Sequence, residues 1–228
     1  MLGKLVDDVA RFAGGLRARR RIRLGAGPIK VNLGAGLNVA EGWIHVDGNV
    51  HAMFAGWPAP FLRRLYRAAS TVQWLPEDEY LRRLREYQIV HHEMEHGLPF
   101  ADNSVDYVYS SHVLEHFFRE DAERLVGEIH RVLRSGGRVR ICVPDLEYAI
   151  SLYRAGEKEV ALAYFFEPSG AGYYRQHRYM YDFELLQRLL AQAGFTNISR
   201  RAYRQGEVPD LDVLDNRPEE TLYVEAVK

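Results

Sequence analysis

Short apolar runs alternate with helical patterns along most of the chain. The predicted strands lie at 29–33, 43–46, 88–92, 105–109 and 138–143, with two more near 197–203 and 221–227. Residues 113–133, 146–166 and 183–193 repeat apolar side chains at helical spacing and are predicted to be helices. Strands that alternate with helices favour an α/β fold, in which a mostly parallel sheet carries helices on both faces.

The length of the chain favours a single domain. A chain of 228 residues can bury one sizeable core but is short for two independent ones. We expect one domain over 1–228, with an N-terminal helical extension over 1–28, whose apolar pattern runs through 3–21, and a helical insertion over 50–87. Charged residues interrupt the N-terminal apolar pattern, and no apolar run approaches the ~18 residues of a membrane span. We therefore expect a soluble, cytoplasmic protein.

The net charge and the single cysteine limit which partners and which covalent cross-links we expect. The formal net charge of -1 provides no field for nucleic acid, so no nucleic-acid partner is expected. Cys142 is the only cysteine, which excludes an internal disulfide and fits a buried structural thiol. Arginines cluster at 63, 64 and 67 and at 82, 83 and 85. Such runs are typical of solvated helix faces, and the alternative is that they hold an anionic substrate.

A glycine turn and a carboxylate follow the first two predicted strands. Gly34-Ala35-Gly36 comes directly after the first strand, and Asp47 ends the second. In open α/β sheets such a carboxylate accepts the hydroxyl protons of a ribose. Only six residues separate Gly36 from Trp43, too few for the usual crossover helix. Either this crossover is abbreviated, or the second strand is not the parallel neighbour of the first. The dehydrogenase fingerprint is absent, since the third glycine and the roughly 20-residue spacing to the acid are missing.

Five motifs in order carry a resemblance to a known family. They are VNLGAG (31–36), GWIHVD (42–47), LPFADNSVD (98–106), SSHVLEH (110–116) and RVLRSGG (131–137). With them, the chain resembles the class I S-adenosylmethionine-dependent methyltransferases over about residues 29–145, and is similar to small-molecule enzymes of the quinone-biosynthesis-like and surface-sugar-associated group. The segments HRYMYD (177–182) and AGF (193–195) extend the likeness. The resemblance implies a Rossmann-like, doubly wound, seven-stranded sheet whose last strand is antiparallel, and S-adenosylmethionine as cofactor.

The resemblance also implies where the cofactor binds. The turn Gly34, Ala35 and Gly36 would pass its methionyl part, Asp47 would hold the ribose, and Glu93 and Met94 would border the adenine. Glu93 stands where the family usually has Asp. Ser110, Ser111 and His112, at the end of the fourth strand, would lie near the sulfonium and the acceptor.

Methyl transfer to a hydroxyl needs an aligned acceptor and a group that removes its proton. His112 is the first candidate base, because its pKa class suits neutral pH, and His177 is the second. We expect His116, Tyr179 and Tyr181 to contact the substrate, with packing or a lid as the alternative role for the tyrosines. The expected reaction is O-methylation of a small or glycan-like acceptor. The sequence leaves the oligomeric state open.

Two other functions remain open from the sequence. His112-x-x-Glu115-His116 matches a zinc-peptidase signature that places two imidazoles one helical turn apart. No further acidic ligand is identifiable downstream, so we expect no metal. A cofactor-binding module without catalytic activity is the third interpretation, and only a turnover assay separates it from the enzyme.

Overall fold

The computed structural model describes residues 22, 24–69, 72–166 and 176–228, and a seven-stranded sheet organises them. Its strands are β1 (Lys30–Leu33), β2 (Trp43–Asp47), β3 (Gln88–His91), β4 (Val105–Ser111), β5 (Leu133–Pro144), β6 (Thr196–Arg201) and β7 (Thr221–Val227). The spatial order is β3-β2-β1-β4-β5-β7-β6. Of these strands, β7 runs in the direction opposite to the other six. The predicted fold class is confirmed. The predicted helix over 3–21, and most of the extension over 1–28, lie outside the described residues.

Helices connect the strands over both faces of the sheet. They are α1 (Val50–Met53), α2 (Ala59–Ala68), α3 (Glu77–Glu86), α4 (Arg119–Val132), α5 (Leu146–Arg154), α6 (Lys158–Leu162), α7 (Phe183–Gln192) and α8 (Leu211–Leu214). Short 3-10 turns span Met94–His96 and Leu114–His116. The predicted helical segment 50–87 contains α1, α2 and α3 and joins β2 to β3. Within the described residues, no helix is both long and apolar enough to cross a membrane.

Two predicted helices differ from the observed ones. The helix predicted over 113–133 begins only at Arg119, because His112 adopts a left-handed conformation (φ 55°) and the chain then makes a 3-10 turn and an extended step. The helix predicted over 146–166 divides into α5 and α6 at Gly156, whose φ of 95° breaks the helical path. Apolar spacing alone could not show either break, since it continues through both.

The crossover from β1 to β2 is the abbreviated one. Lys30 pairs with Trp43 in a parallel register although no helix forms between the two strands. Leu37 of this loop packs with Leu62 of α2 and Leu84 of α3 in one apolar cluster. The segment between β2 and β3 thus supplies the cover that a crossover helix normally provides.

The apolar core separates into layers on the two faces of the sheet. Leu125 and Ile129 of α4 and Leu190 of α7 pack with the buried strand residues of one face. Trp43 and Tyr109 lie in a second cluster with residues of 208–214. Between these layers β1 and β4 lie side by side, and the order of the strands reverses between them. Ligands of open α/β sheets bind beyond the carboxyl ends of strands at such a reversal.

Candidate functional site

The glycine turn and the carboxylate that follow β1 and β2 are in direct contact. The backbone N–H of Gly36 donates to Asp47 Oδ2 at 2.7 Å, and the N–H of Asn49 donates to Oδ1 at 2.8 Å. Burial raises the pKa of Asp47, and these two amide hydrogen bonds oppose the rise. Each carboxylate oxygen can still accept a second hydrogen bond. The predicted convergence of turn and carboxylate on one site is therefore present in the geometry.

Gly34 shows why the turn requires glycine. Its φ is 63°, and a Cβ atom built at this position would lie 2.1 Å from Val113 Cγ2. A left-handed conformation disfavours any side chain, and this neighbour leaves no space for one. Val113 follows His112, so the glycine lets the loop after β4 lie against the loop after β1.

We expect Gly34→Ala to disrupt this contact. The strained φ costs about 1–2 kcal/mol, and the overlap with Val113 adds roughly 1–3 kcal/mol. Chemical denaturation should show that loss of stability, and cofactor affinity should fall as well. Adding Val113→Ala should recover the part due to overlap but not the part due to φ. An unchanged stability in the single variant would contradict the described contact.

A pocket opens between these loops and the ends of β2 and β3. Its lining includes Gly34, Asp47, Glu93, Met94, His112 and Phe117. Glu93 is buried, and its carboxylate lies so close over Gly48 that a Cβ there would be 2.7 Å from Oε1. Apolar walls and the carboxylates of Asp47, Glu93 and Glu95 thus share one cavity.

The other predicted cofactor residues surround this pocket without lining it. Gly36 donates a hydrogen bond to Asp47, which lines the pocket, while Ala35 and Ser111 line a neighbouring cavity on the other side of the glycine turn. Ser110 is almost fully buried in β4 and lines none of the described cavities.

His112 lies where the cavities meet. Its backbone N–H donates to the carbonyl of Cys142 at 2.9 Å, which continues the pairing of β4 with β5. Its Nε2 is 3.0 Å from the Thr221 hydroxyl, and its Nδ1 is 3.2 Å from Glu115 Oε1. A left-handed conformation is uncommon for a residue other than glycine and is found at functional sites. These contacts keep the imidazole at the junction.

Glu115 is a fully buried carboxylate beside three imidazoles. Its Oε1 lies 3.2 Å from His112 Nδ1 and 3.9 Å from His116 Nε2, and neither oxygen accepts a hydrogen bond of normal geometry from the described residues. Burial acts to raise the pKa of Glu115, but the contact with His112 and the charges of His112 and His116 bring it below its usual value. Burial lowers the pKa of His116.

A second cavity adjoins the first on the other side of His112. Its lining includes His112, Glu115, His116, Tyr164, His177 and Arg217. Because His112 and His116 line both cavities, the two spaces share a wall. Thr221, Tyr164 and Arg217 escaped the sequence analysis, since they come from distant segments and carry no local motif.

The remaining predicted substrate contacts lie beside this cavity. Tyr181 is buried, and its ring packs against Tyr179 at a centroid distance of 4.9 Å. The Tyr179 hydroxyl accepts a hydrogen bond from Arg119. Neither tyrosine lines a described cavity. This geometry favours the packing role that the sequence left open for them.

The arginine clusters of α2 and α3 point away from both cavities. Arg63 and Arg67 pair with Glu77, while Arg82 and Arg83 pair with Glu79. None of these four lines either cavity around His112. Ion pairing on the helix surfaces favours the solvated-face interpretation of the two runs.

The peptidase arrangement of His112, Glu115 and His116 is not favoured. That mechanism needs both imidazoles on one helix, one turn apart. Here the motif runs from the end of β4 through a left-handed residue into a 3-10 turn.

Comparisons with known proteins bear on the type of domain and on the fold. A family model described as a methyltransferase domain matches residues 56–141. Solved structures with the same fold include S-adenosylmethionine-dependent methyltransferases from Archaeoglobus fulgidus (15% identity, TM-score 0.52, covering 98% of this chain and 93% of that one) and Thermotoga maritima (19%, 0.51, 96% and 91%). A third is the complex of the Haloferax volcanii Trm112 methyltransferase activator with a methyltransferase (17%, 0.50, 99% and 96%).

No curated protein matches the sequence at a significant level. The methyltransferase-domain match covers β3, β4 and the loops that follow them, which contribute Glu93, Met94, His112 and Phe117 to the pocket. Over residues 56–141, less than half of the chain, the sequence is thus similar to a methyltransferase domain, and the described residues share the fold of S-adenosylmethionine-dependent methyltransferases.

Proposed function

We propose that the protein methylates a hydroxyl oxygen of a small or glycan-like acceptor. The observation that carries the proposal is the shared wall of the two cavities, formed by His112 and His116. The bound cofactor supplies a sulfonium methyl group, which is already a strong electrophile. The chain therefore has to align the acceptor and take up its proton.

The first cavity fits the cofactor. The free lone pairs of Asp47 suit the two ribose hydroxyls, because its amide partners occupy only one acceptor position on each oxygen. Met94 and Phe117 offer apolar walls for a flat ring, and Glu93 lies at the same end. The open space above Gly36, where an added Cβ would meet no atom within 4 Å, suits the methionyl part.

The second cavity fits a hydroxylated acceptor. Tyr164, Arg217 and Glu220 bring both hydrogen-bond donors and acceptors to its lining. Hydroxyl groups of a sugar need such mixed partners, whereas an apolar acceptor would leave them unsatisfied. This composition supports the glycan-like class.

His112 is the residue that we assign to proton removal, with His177 as the second candidate. The carboxylate of Glu115 faces Nδ1, which favours the tautomer that carries its hydrogen there. Nε2 is then the basic nitrogen, and the Thr221 hydroxyl marks the direction from which it accepts a hydrogen bond. Carboxylate, imidazole and hydroxyl thus lie in the order that general-base catalysis uses.

Calorimetry and turnover test the proposal in two steps. Purified, ligand-free protein should bind S-adenosylhomocysteine with one site. Labelled S-adenosylmethionine should then transfer its methyl group to hydroxylated compounds of a cell extract. Binding without transfer would leave the non-catalytic module as the function, and absence of binding would reject the enzyme itself.

His112→Gln should separate catalysis from cofactor binding. We expect kcat to fall by about 10²–10⁴-fold, the usual contribution of a general base, while the affinity for S-adenosylhomocysteine stays within a few-fold. His130→Gln is the matched control, because His130 lies on α4, its ring packs against Phe195, and it lines none of the described cavities. Equal kcat in both variants would remove His112 from the mechanism.

A further inference from the structure

Three side chains with potential metal-ligand atoms converge at the wall of the second cavity, in an arrangement that differs from the peptidase geometry. Glu115, His116 and His177 each place one potential ligand atom within 4.8 Å of the others. The 3-10 turn after β4 carries the first two, and the segment before α7 carries the third. The His116 and His177 ring centroids are 5.0 Å apart.

Backbone carbonyls determine the tautomer of both imidazoles. His116 Nδ1 lies 3.1 Å from the carbonyl oxygen of Gln176, and His177 Nδ1 lies 2.7 Å from that of Tyr164. A carbonyl only accepts, so each Nδ1 carries the hydrogen that it donates. In a neutral ring Nε2 then presents a lone pair. Metal-ligating histidines have this second-shell arrangement, which also fixes the orientation of the ring.

The third group of the cluster presents lone pairs as well. Glu115 has no exposed surface, and both of its carboxylate oxygens lack a hydrogen bond of normal geometry from the described residues. Its Oε1 lies 3.2 Å from His112 Nδ1. A buried carboxylate is expensive unless a cation or hydrogen-bond donors satisfy it. Three groups that present lone pairs therefore lie together, and a cation bound between them would interact with all three.

We propose that Glu115, His116 and His177 bind a divalent transition-metal ion, with Zn²⁺ as the chemically best match. Two imidazoles and one carboxylate form the donor set of many catalytic zinc sites, which keep a position open. Tetrahedral zinc–ligand bonds of about 2.0–2.2 Å hold the donor atoms about 3.4 Å apart, so these three atoms would have to approach one another by up to about 1.4 Å. His112 is not a ligand in this site, but its Nδ1 lies 3.2 Å from Oε1 of the ligating carboxylate.

All three side chains line the second cavity, so a coordination position left open on the metal would be available there to a hydroxyl oxygen of the acceptor. This role rests on the proposed function, whereas metal binding does not. A metal-bound hydroxyl loses its proton more easily. His112, which lines the same cavity, would receive that proton on Nε2.

Metal titration of the full chain tests the site directly. Protein freed of metal by chelation and dialysis should bind one equivalent of Zn²⁺ by calorimetry, and Co²⁺ should give the visible absorption of a site with nitrogen and oxygen ligands. His116→Ala and His177→Ala should each weaken Zn²⁺ binding by at least about 100-fold, more than a typical second-shell change. His130→Ala should bind Zn²⁺ like the unaltered protein.

Two results would overturn the proposal. One is the absence of stoichiometric Zn²⁺ or Co²⁺ binding in the unaltered protein, in which case a proton shared by the imidazoles satisfies Glu115. The other is unchanged affinity in both histidine variants. Binding of S-adenosylhomocysteine by the His177→Ala sample, whose altered side chain lines the second cavity and not the first, reports the cofactor pocket separately and shows that this variant is folded. Loss of the metal with intact cofactor binding therefore leaves the methyltransferase proposal standing.

Discussion

Asp47→Ala is expected to abolish measurable binding of S-adenosylhomocysteine in calorimetry. The carboxylate would accept two ribose hydroxyls, and a hydrogen bond to a charged group contributes about 1.5–3 kcal/mol. Losing both corresponds to roughly 10²–10⁴-fold in affinity. The substitution also removes the acceptor of the Gly36 N–H at 2.7 Å, so the glycine turn loses its anchor. Both effects lower cofactor affinity.

Asp102→Ala is the matched control for this variant. Its side chain is 67% exposed, pairs with Arg131 and lines neither cavity around His112. Cofactor affinity should stay within about twofold there. Thermal unfolding of Asp47→Ala should show a folded protein, so that the loss of affinity reports the pocket. If that variant binds S-adenosylhomocysteine like Asp102→Ala, the ribose lies elsewhere.

Asp47 also shows how far the sequence could predict the site. Whether a residue stands at the end of a strand can be read from the local sequence pattern. Parallel strands bring their carboxyl ends to one edge of the sheet, so the convergence of Asp47 with Gly36 followed from the sequence. The doubly wound, mostly parallel sheet and its antiparallel last strand followed from the resemblance. Thr221 and Tyr164 could not be found in this way, because only tertiary packing brings them to His112 and His177.

The loop after β4 explains the largest difference from the predicted elements. The apolar spacing of Leu114, Phe118 and Leu125 continues a helical period through residues that are not helical. The left-handed conformation of His112 is held by contacts with Thr221 and Glu115, and by the strand register at Cys142. Tertiary contacts thus override local propensity where the two cavities meet.

A buried arginine network connects the sheet to the segment that precedes β7. Arg140, in the middle of β5, has no exposed surface, and all five of its N–H donors are engaged. Two bonds reach Asp215, one reaches Glu225, and two reach the carbonyls of Ala202 and Gln205. Arg140 also packs on the Tyr223 ring at 4.7 Å.

Arg140→Met is expected to lower the free energy of unfolding by about 3–5 kcal/mol, because it leaves buried carboxylates without their cation. Urea denaturation measures this change. Arg124→Met is the matched control, since Arg124 pairs with Asp121 on the surface of α4 and such pairs contribute about 0–1 kcal/mol. Equal losses would mean that the network does not bear on stability.

The same variant tests whether the network positions the site. The chain runs from Asp215 through Arg217 to Thr221, which approaches His112 Nε2 at 3.0 Å. If the anchor at Asp215 holds this stretch, Arg140→Met should lower kcat even under conditions where the protein is fully folded. The affinity for S-adenosylhomocysteine should change little, because Asp47 and Glu93 lie on the other side of β1. A drop in affinity with unchanged kcat would instead place the effect of the network in the cofactor pocket.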